Sequence, residues 1–363
     1  MIFPATKRNA AYQLEGKRVW VAGHTGLVGS ALLRRLSRES CTELYATHDP
    51  LDLTRQTVTE NWIRRERPQA IIVAAARVGG IMANAKAPAD FLYDNTMIGM
   101  NIVHAAYELG VEKLLWLSSS CVYPRDAPQP MRENMLLTGP LEVTNEAYAI
   151  AKIAVGKAAA AFRTQYGCNF ITAMPTNLYG PNDSFDPDTS HVLPALVRKV
   201  YNAKTMGHKT VTIWGSGRPL REFLHVDDLA DACVYLMRNY AASEPINVGT
   251  GHEITIRDLA ILIAQELGFE GQFLYDPSKP DGTPRKLLDT TRLEKMGWHP
   301  KISLRAGVRQ LCASFDGVPL CARSLAKLQP YKDLDGPFRA RSGLLQERLR
   351  YQRPAAISSA RGR

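Results

Sequence analysis

The chain has 363 residues, 45% of them hydrophobic and 22% charged, which is the balance of a globular protein long enough for one large α/β unit or two fused domains. No apolar run could cross a bilayer and the N-terminus, MIFPATKRNAAYQLEGKR, carries no apolar signal stretch, so the expected location is the cytoplasm, with no membrane partner. The net charge of +10 does not mark a nucleic-acid binder: from Gly317 onward ten Lys or Arg face three Asp or Glu, leaving the body near balance.

Lys17–Ala22 (KRVWVA) reads as the first strand, and Leu27–Leu36 follows with helical periodicity. Further strands are expected at Glu43–Thr47, Ala70–Ala75, Lys113–Ser118 and Phe170–Met174, with helices at Thr54–Arg65, Ala89–Leu109 and Ala147–Tyr166 between them. The alternation implies a parallel sheet with helices on both faces, and the continuous apolar runs suit strands covered on both sides. His191–Tyr201 reads as a helix, followed by a turn-rich piece with Gly215, Gly217 and Pro219 and then short elements to about Ser314. The expected fold is a Rossmann-type, doubly wound α/β sheet over 17–180. A smaller C-terminal α/β substrate lobe covers 181–314, some of its segments returning to the main sheet. Beyond it lies a basic tail over 315–363, with a short helix at Gly343–Tyr351 and an otherwise disordered end.

Six cysteines, Cys41, Cys121, Cys168, Cys233, Cys312 and Cys321, are scattered without a C-x-x-C pair or zinc-ligand spacing. They read as free thiols, and no metal site is expected.

Gly23-His-Thr-Gly26-Leu-Val-Gly29 lies between the first strand and first helix. Glycines there permit a tight turn and close backbone approach to a phosphate, and the helix N-terminus offers unpaired N–H groups to a pyrophosphate. Asp49 and Asp52 follow the second strand, where a carboxylate can bond to the adenosine part of a dinucleotide. Tyr148-Ala-Ile-Ala-Lys152 puts a phenol and an ammonium on one helix face. A nearby ammonium is expected to lower the phenol pKa and tune it for proton transfer during hydride chemistry. Ser118-Ser119-Ser120-Cys121-Val122-Tyr123-Pro124 directly follows the fourth strand and offers a hydroxyl to the reacting oxygen. Y-x-x-x-K occurs often by chance; the three elements in this order do not.

This arrangement resembles the extended short-chain dehydrogenase/reductase superfamily and, within it, the GDP-L-fucose synthase family. AAARVGGIMAN, SSSCVYP, NEAYAIAK, MPTNLYGPND, SHVLPAL, WGSGRPLREFLHVDD, NVGTG and KPDGTPRKLLD carry the likeness, over about 16–308. The resemblance implies 3,5-epimerisation of GDP-4-keto-6-deoxy-D-mannose followed by NADPH-dependent reduction at C4. Cys121 and His191 would serve as base and acid, Tyr148 as proton donor, Lys152 as its tuner and the orienter of the nicotinamide ribose, and Ser119 as partner of the C4 oxygen. Implied cofactor contacts are Gly23, Thr25, Gly26, Leu27, Val28, Gly29, Asp52, Leu53, Leu117, Ser118, Lys152, Pro175, Thr176, Asn177, Leu178 and His191. Implied contacts to the GDP-sugar are Lys199, Trp214, Arg221, Asp281 and Lys286, and a homodimer through a helix pair is implied as well.

Related nucleotide-sugar 4,6-dehydratases carry a Thr-Asp-Glu run where Ser119-Ser120-Cys121 stands, so dehydration is disfavoured. The chain departs from the family at Thr25 and Ala46, where NADPH-preferring members place arginines for the 2′-phosphate. Arg55 or His48 are the substitutes at hand, and NAD stays open beside NADP. Lys199 stands where Arg is common. A single-step 4-reductase or 4-epimerase and a GDP-colitose synthase are the neighbouring readings, and a non-catalytic dinucleotide-binding regulator is the distant one.

Overall fold

The computed structural model describes residues 11–46, 51–186, 190–279 and 281–316. His48, Asp49 and the stretch 343–351 lie outside them, as does all of the basic tail beyond Asp316.

The strand-helix alternation runs β1 (Arg18–Ala22), α1 (Leu27–Leu36), β2 (Thr42–Leu44), α2 (Gln56–Glu66), β3 (Ala70–Val73), α3 (Ile81–Lys86), α4 (Pro88–Glu108), β4 (Lys113–Leu117), α5 (Glu146–Tyr166) and β5 (Phe170–Pro175). It continues through β6 (Asn177–Tyr179), α6 (Val192–Thr205), β7 (Thr210–Trp214), β8 (Leu220–His225), α7 (Val226–Asn239), β9 (Ile246–Val248), β10 (Glu253–Thr255), α8 (Ile256–Leu267), β11 (Gln272–Asp276), β12 (Arg285–Lys286), α9 (Thr291–Lys295) and α10 (Leu304–Asp316).

The main sheet has the order β2-β1-β3-β4-β5-β9 and every pairing in it is parallel. It is doubly wound, as the side chains of its strands show. In β1, Val19 and Val21 enter the core under α1 and α7, while Trp20 and Ala22 enter the core under α4 and α5. In β3, Ala70 and Ile72 join the first core and Ile71 and Val73 the second. This period of two sends alternate side chains to opposite faces. Each fully buried Val, Leu or Ile contributes roughly 1.5–3 kcal/mol, so both faces must stay covered.

After β5 the chain builds a separate apolar cluster from Leu196, Val200, Leu259, Ile263 and Leu311 on α6, α8 and α10. Short strands lie beside it: β10-β8-β12 with β6 against β8, and β11 parallel to β7. Two later segments belong to the main sheet: β9 pairs with β5 through Ala173 and Ile246, and α7 packs its Leu229, Val234 and Met237 in one core with Leu32 and Leu36 of α1. Phe315, in the last turn of α10, is buried against Phe185 and Tyr201, so the packed chain reaches past Ser314.

Several boundaries move for local reasons. Asp52 Oδ1 accepts from the Thr54 N–H (3.0 Å) and the Thr54 hydroxyl (2.6 Å), a side-chain turn that keeps Thr54 out of the helix, and α2 begins at Gln56. Helix α6 runs beyond Tyr201 to Thr205 because Ala203 is still buried, and Gly207 at φ +70° follows its end. Among the described residues no helix is long and apolar enough to cross a membrane.

Candidate active site

At the β1–α1 turn, Gly23 adopts φ +87°, and a Cβ there would lie 2.7 Å from the Ala75 backbone. A Cβ on Gly29 would lie 2.0 Å from the Gly23 carbonyl oxygen. Only glycine fits either place. Gly26 opens α1 with no side-chain cap and no acid in the first turn, leaving its first N–H groups and the positive end of its dipole for an anion. Thr25 is exposed and Leu27 and Val28 are half-buried beside it.

The C-terminal ends of β4 and β5 continue this edge. Leu117 O accepts from Lys152 Nζ at 2.8 Å. The buried Ser118 hydroxyl has no partner among the described residues, an orphaned donor that a bound group would satisfy. After Pro175, the Thr176 N–H donates to Val248 O (3.0 Å), and Asn177 Nδ2 donates to Glu222 O (2.7 Å), fixing the Pro175–Leu178 loop beside β9. The residues expected to hold a dinucleotide therefore lie along adjacent strand ends. Where the adenosine is expected, Asp52 is committed to Thr54 and stands 3.6 Å from Arg55. Leu53 O accepts from Asn101 Nδ2 (2.9 Å). The Tyr45 ring covers His24 at 5.3 Å. Thr25 and Ala46 bring no charge.

Beyond Ser118 the chain makes one 3-10 turn, Ser120–Val122. Ser119 caps it: its Oγ accepts from the Cys121 N–H at 3.2 Å. That cap aims the Cys121 sulfur at β12, where Lys286 Nζ donates to it at 3.1 Å. Burial alone would raise the thiol pKa. The Lys286 ammonium, the Ser119 hydroxyl and the Arg221 guanidinium outweigh it and hold the thiol below its ordinary value.

Tyr148 lies on α5 with its ring against Phe91 at 6.5 Å, hydrogen-bonded to Ser119. The expectation of a lowered phenol pKa is not met. Burial, then the charge on Cys121, push it up, and the Ser119 hydrogen bond only partly offsets them. Lys152 is buried, 4.1 Å from the centre of the Trp116 ring and 5.7 Å from that of Tyr148. Burial lowers its pKa to about 7, so it is a weaker cation than the sequence implies. His191 precedes α6 at its N-cap. Desolvation by the surrounding chain and then the Lys286 charge keep its pKa below the usual imidazole value. Lys286 thus acts on both Cys121 and His191, and Cys121 on Tyr148. Cys121 and Lys286 help to line a recess together with Tyr123, Gln129 and Thr283.

Residues 19–249 match the NAD dependent epimerase/dehydratase family. The chain is 54% identical over 304 residues to a GDP-L-fucose synthase of Sinorhizobium fredii, covering 84% of this chain and 97% of that one. It is 56% identical over 294 residues to GDP-L-fucose synthase 1 of Arabidopsis thaliana, covering 81% and 91%. The chain belongs to the GDP-L-fucose synthase family. A GDP-L-fucose synthetase from Naegleria fowleri, solved bound to NADP, is similar in fold with a TM-score of 0.78 at 28% identity, covering 85% of this chain and 97% of that one.

Of the side chains that the GDP-L-fucose synthase likeness assigned to the nucleotide-sugar, Trp214 is half exposed, with Lys199 Nζ 4.8 Å and Lys279 Nζ 5.8 Å from its ring centre. Asp281 is occupied locally: it accepts from the Ser216 N–H (2.6 Å) and hydroxyl (2.7 Å), closing the Gly215–Gly217 turn. Arg221 donates to Leu220 O (2.8 Å), and its charge acts on Cys121 and Asp281. Sequence reasoning missed Glu222. Its fully buried carboxylate accepts from the N–H groups of Thr250, Gly251 and Leu288 and locks the NVGTG loop to the strand that carries Arg221. An acid directly before the apolar pair Phe223-Leu224 in β8 was the available signal. It also missed the role of Asn247, whose buried amide holds Tyr123, Met131 and Asp289 together. Among the described residues no cluster could hold a metal ion, and Cys41, Cys121, Cys168, Cys233 and Cys312 are free thiols.

Proposed function

We propose that the chain converts GDP-4-keto-6-deoxy-D-mannose to GDP-L-fucose by 3,5-epimerisation and then reduction at C4, with NADP(H) as cofactor. The single observation that supports this most is the Cys121 sulfur held 3.1 Å from the Lys286 ammonium, a thiol kept ready to accept a proton where a dehydratase would need carboxylates. The C4 ketone makes the hydrogens on C3 and C5 acidic. Cys121 takes the proton from one face, Ser119 and Tyr148 hydrogen-bond the enolate oxygen at C4, and His191 returns a proton to the opposite face. Once Cys121 has released that proton to solvent and His191 has taken up another, the same exchange at the second carbon completes the inversion.

The glycine cradle, the uncapped α1 N-terminus and the orphaned Ser118 hydroxyl fit a dinucleotide. NADPH, when bound, supplies the hydride for C4. Tyr148 then gives its proton to the C4 oxygen, and Lys152 orients the ribose and places charge beside the phenol. Lys199, Trp214 and Arg221 offer a base-stacking face and cations for the GDP group. Arg55 is the cation available to a 2′-phosphate if it leaves Asp52. A homodimer through α4 and α5 is supported by large apolar side chains both helices leave in solvent, Leu92 and Tyr93 on one and Ile150 and Tyr166 on the other.

Incubation with GDP-4-keto-6-deoxy-D-mannose and either NADPH or NADH, with the product identified by NMR, tests the reading. GDP-L-fucose is the expected product, formed faster with NADPH. A 4-reduced sugar that retains the D-manno configuration at C3 and C5 would leave a plain reductase.

A further inference from the structure

Resting on that reading, we infer that Lys286 is a positioning residue for the proton acceptor: its ammonium, seated on the Cys121 sulfur, holds Cys121 as the thiolate that takes the proton. The strand pairing sets this up. β12 lies parallel to β8 with Lys286 opposite Arg221, so two cations stand side by side. The backbone just after Lys286 is fixed at both of the next residues: Leu287 N–H donates to Gln129 Oε1 (2.8 Å) and Leu288 N–H to Glu222 Oε2 (3.0 Å). The ammonium is delivered by a tied strand, not by a free surface chain.

Of these two cations, Arg221 also acts on the nearby Asp281 carboxylate, whereas Lys286 has the thiol sulfur as its partner. Of the other groups lining the recess, Arg125 pairs with Glu142 at 3.7 Å and Arg285 with Glu253 at 2.8 Å. Neither Lys286 nor Arg221 forms a salt bridge among the described residues. Ser119 from the thiol's own turn and Tyr148 from α5 also act on or are acted on by Cys121, and neither carries a charge. A cation on the sulfur favours the anion of the thiol, the form with a vacant site for the proton, and the Cys121 thiol is held below its ordinary value accordingly.

The test is the pH dependence of Cys121 alkylation by iodoacetamide in the full chain, quantified by peptide mass spectrometry. Cys168, a half-buried thiol pushed up by burial, serves as internal reference. In the unaltered protein Cys121 is expected to react with a lower midpoint than Cys168. Lys286→Met should raise the Cys121 midpoint by about one pH unit or more, roughly tenfold slower alkylation at neutral pH, and shift the acidic limb of C3 and C5 hydrogen exchange equally. Lys286→Arg should keep both in place. A side chain that only gripped the diphosphate would raise KM and leave the midpoint alone; that result, or an equal shift in both variants, overturns the inference. The alkylation arm needs neither substrate nor cofactor. A failure of the proposed reaction would therefore appear separately, as catalytic exchange persisting in Cys121→Ser.

Discussion

Tyr148 sits one helical turn from Lys152, yet its phenol holds its proton well above neutral pH because burial and the Cys121 charge dominate. That state suits a proton donor, since a tyrosinate would have nothing to give the C4 oxygen. The proton leaves only when hydride arrival turns that oxygen into a strong base. Tyr148→Phe should therefore slow reduction by about 10²–10⁴-fold, the usual worth of a positioned acid, while exchange at C3 and C5 continues and epimerised ketone accumulates. NADPH oxidation at 340 nm and NMR of the sugar check both halves; reduction at the original rate would remove Tyr148 as donor. The i, i+4 spacing made the pair visible in the sequence. The direction of the pKa shift was not visible, because it depends on how completely the surrounding chain excludes water.

The β1–α1 turn is the element whose fit to a dinucleotide is most strictly steric. Gly29→Ala would place a methyl 2.0 Å from the Gly23 carbonyl oxygen, so the turn must open and draw the α1 N-terminus off its axis. Overpacking of this kind costs about 1–3 kcal/mol. NADPH affinity, followed by fluorescence titration, should fall at least about tenfold, equivalent to ~1.4 kcal/mol. Unchanged affinity would mean that the phosphates sit elsewhere. This element was legible because a strand, three glycines and an amphipathic helix follow one another without interruption, and α1 occupies the expected Leu27–Leu36. Helix α3 was missed: it has six residues, too few to show a period, and enters directly from Gly79-Gly80. Strand β9 has three residues and takes its place in the main sheet from pairing with β5, a long-range contact that no local pattern records.

Across the whole molecule, the site is assembled from chain segments far apart. Cys121 and Lys286 are separated by 165 positions, and β4, α5, β8, β12 and the start of α6 each bring a group. The short-range parts, a glycine turn, a serine-capped turn and a Tyr–Lys helix face, could be read from the sequence. The contacts between them could not: neither the seating of Lys286 on the Cys121 sulfur nor the burial of Glu222 beneath the NVGTG loop has a local pattern. The account depends on those distant segments closing around a single hexose, with a proton acceptor on one side and a donor on the other. Deuterium uptake from heavy water at C3 and C5 of GDP-4-keto-6-deoxy-D-mannose, measured by NMR for the unaltered protein and for Cys121→Ser, tests this most directly. The account predicts uptake at both carbons in the former and its loss in the latter; undiminished uptake in Cys121→Ser would contradict it.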